Sequence, residues 1–157
     1  MGEVFARTGR LLIRRFRLAD VDVFTAYRSD PEVARYQSWD APFPAADAQR
    51  LVAEFAVADE RAAGWFQYAL ELRTTRALIG DVAVNRHGDR AELGFTLARA
   101  YQGQGYATEA VRCVLDRVFQ EGVRTVIAEF DPPNEASRRL LERVGFRCGE
   151  DAGELRR

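Results

Sequence analysis

The sequence predicts one mixed, three-layer α/β domain, and three observations carry that expectation. Three successive apolar segments rich in β-branched and aromatic residues, Trp65 to Leu72, Leu78 to Asn85 and Ala91 to Leu97, read as antiparallel strands. A helix follows them, with Ala107, Ala110, Val111, Val114, Leu115 and Val118 at i, i+3, i+4, i+7 spacing. A β-branched strand, Thr125 to Phe130, comes next, and a strand–helix–strand order implies a parallel crossover. The full order reads β-α-α-β-β-β-α-β-α-β, without internal repeat or low-complexity segment.

Each element has a local reason. Leu11-Leu12-Ile13 with Phe16 gives the first strand, and Ala19 to Tyr27 a helix entered through Asp20. Ser29-Asp30-Pro31-Glu32 is a helix start: a polar cap, then proline where its missing N–H is harmless. That short helix is expected to end near Tyr36, with a loop from Gln37 to Pro44. Ala45 to Ala63 reads as a helix that Gly64 stops. Thr74-Thr75-Arg76 and His87-Gly88-Asp89 link the three antiparallel strands, so the single histidine is a hairpin residue. Gly122 ends the striped helix. Pro132-Pro133 breaks the chain, Asn134 caps a last helix through Val144, and Gly145 ends it. After Phe146, 11 residues leave room for one short strand and a charged tail.

Composition bounds the function. A chain of 157 residues, 47% apolar and 30% charged, is a single ordered domain rather than a disordered one. The 23 basic residues are all arginine and are balanced by 24 acidic ones, so net charge gives no sign of a nucleic-acid-binding face. Cys113 and Cys148 form no CxxC pair and read as reduced, structural thiols. No apolar run reaches bilayer length and no signal-peptide core opens the chain, so a cytoplasmic protein without a membrane partner is expected.

The chemistry centres on Tyr101-Gln102-Gly103-Gln104-Gly105-Tyr106-Ala107, with the striped helix opening from Thr108. Small residues in a strand-to-helix turn leave backbone N–H groups bare, and the helix dipole adds positive potential. The result is a seat for an anion such as a pyrophosphate. A P-loop is excluded because no Gly-Lys-Ser/Thr follows, and a Rossmann turn because three antiparallel strands precede it. If the parallel strands splay apart, the free edge of Phe95-Thr96-Leu97 can pair with an extended amide-bearing ligand. Asn134 to Ser137 begin the later helix at the same end of the sheet.

These segments resemble the GNAT superfamily of acetyl-CoA-dependent N-acetyltransferases, and within it the Rim-type branch that modifies ribosomal-protein N-termini. Gln102, Gly105 and Ala107 stand in register with the family's pyrophosphate motif. Glu92-Leu93-Gly94-Phe95, Gly105 to Ala110, Asn134-Glu135-Ala136-Ser137 and Glu142 to Phe146 are similar to that branch. So are Thr8 to Arg14 and Ser29 to Val33, and the likeness spans residues 8 to 146. It implies a three-layer sandwich around a mostly antiparallel mixed sheet with a central splayed parallel pair. It also implies acetyl transfer from acetyl-CoA to a primary amine, by direct attack in a ternary complex and without metal.

The resemblance assigns roles as well. Backbone amides from Gln102 through Gly103, Gln104, Gly105, Tyr106 and Ala107 to Thr108 would hold the pyrophosphate. Phe95, Thr96 and Leu97 would pair with pantetheine, one amide facing the thioester oxygen, and Asn134 would contact pantetheine near the thiol. Ser137 is a candidate acid for the departing thiolate, or else a first-turn serine that assists the cap. Glu92 and Glu129 are the carboxylates for deprotonating the amine through water, Glu92 ranked first, or else solvated strand residues. Tyr36, Trp39, Phe43, Phe66 and Tyr68 read as core, some of them free to line an acceptor groove.

One departure stands out: the branch continues through a further strand pair, which this chain has in shortened form. Either the groove is open, or a second subunit closes it, or the chain is a shortened version of a longer relative, and an unpaired sheet edge would favour a homodimer or strand exchange. The acceptor stays open between a protein N-terminus and a small-molecule amine. Two rivals also stand, a non-catalytic coenzyme A-binding or protein-interaction module on the same scaffold and a nucleotide-binding protein.

Overall fold

The computed structural model describes residues 3–157. Eight strands form one sheet in the order β1-β2-β3-β4-β5-β6-β8-β7. They are β1 (Val4–Arg7), β2 (Leu11–Arg15), β3 (Gly64–Leu72), β4 (Leu78–His87), β5 (Arg90–Leu97), β6 (Thr125–Glu129), β7 (Arg147–Cys148) and β8 (Ala152–Arg156). Every pairing is antiparallel except β5 with β6. The helices are α1 (Val21–Arg28), α2 (Pro31–Ala34), α3 (Ala45–Val57), α4 (Tyr106–Gln120) and α5 (Glu135–Arg143).

The sheet is the middle layer. On β4, Asp81 accepts a hydrogen bond from Tyr27 of α1, while Arg86 reaches Glu121 at the end of α4. Residues five apart on a strand point to opposite faces, so α1 and α4 cover opposite sides. The stripe read from the sequence is buried as expected: Ala110, Val111, Val114, Leu115 and Val118 of α4 lie in the core. Fully buried Phe16, Phe24, Phe66 and Tyr68 fill the centre with edge-to-face aromatic contacts.

Several boundaries differ from the sequence reading, and three of the differences have a long-range reason. β1 was not expected; its four residues carry no strong alternation, and it forms by pairing with β2. α1 is preceded by a short turn because Asp20, expected at the helix entry, is buried. It accepts both a fork from Arg14, at 2.8 and 2.9 Å, and the Arg17 N–H. α3 ends at Val57 rather than Ala63, because Glu60 is drawn into the protein to meet the Tyr68 hydroxyl (2.7 Å) and the Arg117 guanidinium. α4 begins at Tyr106, one half-turn early.

The C-terminus corrects an expectation. Two strands, not one, follow Phe146, and β8 pairs with β6 along its whole length, from Thr125↔Arg156 to Glu129↔Ala152. Gly153 allows the tight return, since a Cβ there would lie 3.0 Å from Cys148 Sγ and 3.2 Å from Phe146 Cβ. The outer edge of β6 is therefore covered, which removes the bare edge on which a homodimer had been expected.

The parallel pair is short. β5 and β6 are in register at Arg90↔Thr125, Ala91↔Val126 and Glu92↔Ile127, and then part. β5 continues on β4 alone, and Gly80 makes that approach possible: a Cβ at Gly80 would stand 2.2 Å from the Thr96 carbonyl oxygen.

Candidate active site

The wedge between the diverging strands exposes backbone. Ala98 donates its N–H to Ile79 on β4, so alternation turns the N–H and C=O groups of Phe95 and Leu97 towards the wedge. Two glutamines confirm that direction. Gln37 Nε2 donates to the Phe95 carbonyl (3.2 Å) and Gln102 Nε2 to the Leu97 carbonyl (2.9 Å).

The glycine loop leads from this strand into α4. Gly103 and Gly105 adopt φ of 75° and 83°, the left-handed region where a side chain is strained. No protein acceptor lies on the N–H groups from Gly103 through Thr108; the first bonded one is Glu109, on the Gly105 carbonyl at 3.1 Å. Six consecutive donors at the positive end of a 15-residue helix form an anion seat.

Arg10, in the β1–β2 turn, sets the loop's orientation. Its guanidinium donates to the Gln104 carbonyl (2.9 Å), pairs with Glu109 (2.8 Å) and lies 4.2 Å over the Tyr106 ring. In a trans peptide the C=O and N–H point opposite ways, so anchoring the Gln104 carbonyl turns the Gly105 N–H away from Arg10. Glu109 also accepts from the Thr8 hydroxyl and the Arg10 N–H. Burial pushes the Glu109 carboxyl up, but these donors outweigh it and hold the group below its usual range. Asp30, which caps α2, is likewise held low by its hydrogen bonds from Arg99 beside the loop.

Asn134 and Ser137 face the wedge from α5. Asn134 Oδ1 accepts the Ser137 N–H (3.2 Å), and Asn134 Nδ2 donates to Ser137 Oγ (3.0 Å). The expected cap is present, and it has a second effect: with Oγ already accepting, the hydroxyl proton is free for another acceptor.

These parts surround a cavity of about 570 Å³. Of the residues singled out from the sequence, Phe95, Thr96, Leu97, Gln102, Gly103, Gly105, Tyr106, Ala107, Thr108, Asn134 and Ser137 line it. Gln104 does not; its carbonyl turns to Arg10 and its side chain to the Ala100 carbonyl. Glu92 lines neither this cavity nor the one beside it. It lies where β5 and β6 are still paired, before they part.

A second cavity, about 590 Å³, adjoins the first at Tyr36 and Gln37 and is walled by Glu129, Phe130, Asp131, Pro132, Asp151 and Ala152. Glu129, ranked behind Glu92 in the sequence, is thus the one of the two exposed strand carboxylates that lines a cavity of the site. Three carboxylates wall this cavity and no arginine does. Of the aromatic residues singled out, Tyr36 alone lines these two cavities; Trp39, Phe43, Phe66 and Tyr68 pack with the core.

Sequence reasoning missed Arg10, Gln37 and the α2 wall of Glu32, Val33 and Arg35. Only the Thr8–Arg14 and Ser29–Val33 similarities pointed near them. Among the described residues no group of three or more His, Cys, Asp or Glu is placed to hold a metal ion, and no helix is long and apolar enough to cross a membrane.

Known proteins resemble this chain in sequence and in fold. The family model for the acetyltransferase (GNAT) domain matches residues 10–147. The uncharacterised N-acetyltransferase p20 of Bacillus licheniformis is 30% identical over 147 residues, covering 88% of this chain and 80% of that protein. Among solved structures, a GNAT-family acetyltransferase from Bacillus anthracis superposes with a TM-score of 0.80 at 26% identity, covering 94% of each chain. RimL, a ribosomal alpha-N-protein acetyltransferase, gives a TM-score of 0.80 at 16% identity over 100% of this chain and 94% of its own. The microcin self-immunity acetyltransferase MccE, solved with acetyl-CoA and AMP, gives 0.78 at 14% identity over 96% and 94%. The last two likenesses concern the fold alone. With the family match spanning the wedge, the glycine loop and the capped helix, the chain belongs to the GNAT family and is an acetyltransferase.

Proposed function

We propose that this acetyltransferase moves the acetyl group of acetyl-CoA to a primary amine, by direct attack in a ternary complex. One observation carries the reading: the free N–H donors of Gly103 and of Gly105 through Thr108, the exposed edge of Phe95 and Leu97 and the Ser137 hydroxyl all open on one cavity. Acetyl-CoA supplies the activated acetyl thioester. The N–H groups from Gly103 to Thr108 hold its diphosphate, and Gly105, where a Cβ would stand 3.2 Å from Arg10 Nη2, lets that arginine sit close under the loop. Phe95 and Leu97 pair with the pantetheine amides, Gln37 giving up the Phe95 carbonyl. A wedge-facing N–H of the same strand donates to the thioester oxygen, where one such donor is worth about 10²–10³ in rate. Ser137, its lone pair engaged by Asn134, donates its proton to the departing sulfur.

The amine enters through the second cavity. Its three carboxylates favour a cationic acceptor, and Glu129 takes the proton through a water. That demand is strongest for a lysine-like or polyamine nitrogen, with pKa about 10.4, and weaker for an α-amine at about 7.7–8.0. A protein N-terminus, the substrate class in RimL's own description, and a small polyamine are the two acceptors to compare first.

Thiol release from acetyl-CoA, measured against N-terminal peptides, polyamines and amino sugars, tests the reading. Saturable, amine-dependent release is expected. Binding of coenzyme A with no release on any amine would identify a binding module instead. Heat protection by ATP or NAD and none by coenzyme A would identify a nucleotide-binding protein.

A further inference from the structure

The face of the sheet that α1 covers at Asp81 is left open further along the strands. Asn85 stands on that face, four residues on from Asp81 in β4, and the register sets Trp65 of β3 on one side of it and Glu92 of β5 on the other. Paired residues of adjacent strands point the same way, so the three form a row with neighbouring Cβ atoms about 5 Å apart. Trp65 is 51% exposed and Glu92 is exposed as well. Between them Asn85 is only 9% exposed, and its Oδ1 accepts no hydrogen bond among the described residues. Glu92 enters no ion pair among them either.

The next row towards the wedge is small, with Ala83 of β4 opposite Gly94 of β5. A Cβ at Gly94 would meet nothing within 4 Å, so the surface is open there. β6 parts from β5 just after Glu92, and Glu129, two residues on from Ile127, alternates onto this same face. The row therefore lies on the side of the sheet where Glu129 meets the second cavity. Along β5 it stands three residues, about 10 Å, from the exposed edge at Phe95.

Each member of the row suits a cationic donor. An exposed indole face and an unpaired carboxylate both attract a positive charge, and a buried amide oxygen without a donor costs free energy until one arrives. A guanidinium meets all three at once: it is planar, stacks on an aromatic face and carries several N–H groups in a fixed fork. An ammonium is a compact, strongly hydrated point charge, which serves the carboxylate but not the stack. Arg90, two residues before Glu92 on the same face, repels a cation from the far side and leaves the wedge side as the approach.

We propose that Trp65, Asn85 and Glu92 form an exosite for an arginine side chain of a polypeptide acceptor whose N-terminal amine lies at the wedge. This rests on the reading of the protein as an amine acetyltransferase and narrows its acceptor to a peptide with a basic side chain near its N-terminus. Glu92 binds and orients the acceptor in this arrangement, while Glu129 stays at the amine.

Initial rates of thiol release test the proposal, with acetyl-CoA and five-residue alanine-based peptides that carry one arginine, lysine or glutamine at positions two to five in turn. For the wild type, kcat/KM with arginine at the best position should exceed that with glutamine about tenfold at low salt, and lysine should fall between them. The gain should lie in KM and shrink as salt rises. Glu92→Gln and Trp65→Ala, both at exposed positions, should each reduce the ratio to about threefold, and the double variant to less than twofold. The ratio is taken within one protein sample, so partial misfolding lowers both rates together and leaves it unchanged. No arginine preference in the wild type, or a double variant that keeps it in full, overturns the exosite while the amine reading stands. Turnover of polyamines but of no peptide overturns it too, as does self-association in sedimentation that Trp65→Ala abolishes, which would put a second copy on this face. If no amine of any kind releases thiol, the amine reading falls and the exosite with it.

Discussion

Replacing Arg10 by alanine is the sharpest test of how the anion seat is built. The side chain does not line the cavity, yet it anchors the Gln104 carbonyl at 2.9 Å, pairs with Glu109 at 2.8 Å and covers the Tyr106 ring. Its side chain is 44% exposed, so the ion pair itself contributes less than about 1 kcal/mol to folding. Glu109 keeps the Thr8 hydroxyl and the Arg10 backbone N–H as donors, which limits the global loss further. The local effect is larger. Freeing the Gln104 carbonyl releases the peptide that aims the Gly105 N–H, and a hydrogen bond from a charged donor contributes about 1–1.5 kcal/mol at such exposure. The KM for acetyl-CoA should therefore rise roughly five- to tenfold, with a much smaller fall in kcat and little change in Tm. Initial-rate thiol release at saturating amine, with a thermal melt in parallel, measures all three. Arg10→Lys, which keeps the charge without the fork, should recover part of the loss. A KM within twofold of wild type for Arg10→Ala would show that the loop holds its shape unaided, and the argument from Arg10 would fail.

Three further outcomes follow from the same geometry. Ser137→Ala should lower kcat by no more than about tenfold, since coenzyme A thiolate is an adequate leaving group; Asn134→Ala should lower it similarly and reduce stability by about 1 kcal/mol through the lost cap, read by denaturant melts. Glu129→Gln should depress kcat/KM more than Glu92→Gln, most strongly for a polyamine acceptor at neutral pH, and equal effects in a pH–rate profile would disprove the assignment. Burial raises the Glu60 carboxyl, but hydrogen bonds from Arg117 and Tyr68 bring it below its ordinary value of 4.5, and Glu109 is held low as well. A depressed carboxyl contributes stability that is complete above its unfolded pKa and lost as pH falls through the folded one. Tm should thus decline below about pH 4.5, and Glu60→Gln should have a lower Tm at pH 7 and a flatter acid limb.

The parts legible in the sequence are those whose cause is local. The α4 stripe, the three antiparallel strands, the Asp30 and Asn134 caps and the glycine loop each follow from spacing or turn chemistry within a few residues. What escaped the sequence depends on distant partners. α3 stops early because Glu60 meets Tyr68 and Arg117, eight and 57 residues away. β7 is two residues long, too short for any alternation to be read. Arg10 acts on a loop 94 residues further on, and Gln37 reaches a carbonyl 58 residues away. The carboxylate wall draws on β6, the segment after it and the β7–β8 turn, so composition, near neutral overall, gave no hint of it. Glu92 ranks ahead of Glu129 in the sequence through family likeness alone, and the register at which β5 leaves β6 is what puts Glu129 rather than Glu92 on a cavity wall.

Gln37 has a wider consequence. At rest its side-chain amide stands on the Phe95 carbonyl as a surrogate for a ligand amide, so an incoming chain exchanges one hydrogen bond for another instead of gaining one. Gln37 also borders both chambers. Its departure from the Phe95 carbonyl changes the wall that the two cavities share, so a ligand that displaces it in the first reshapes the second.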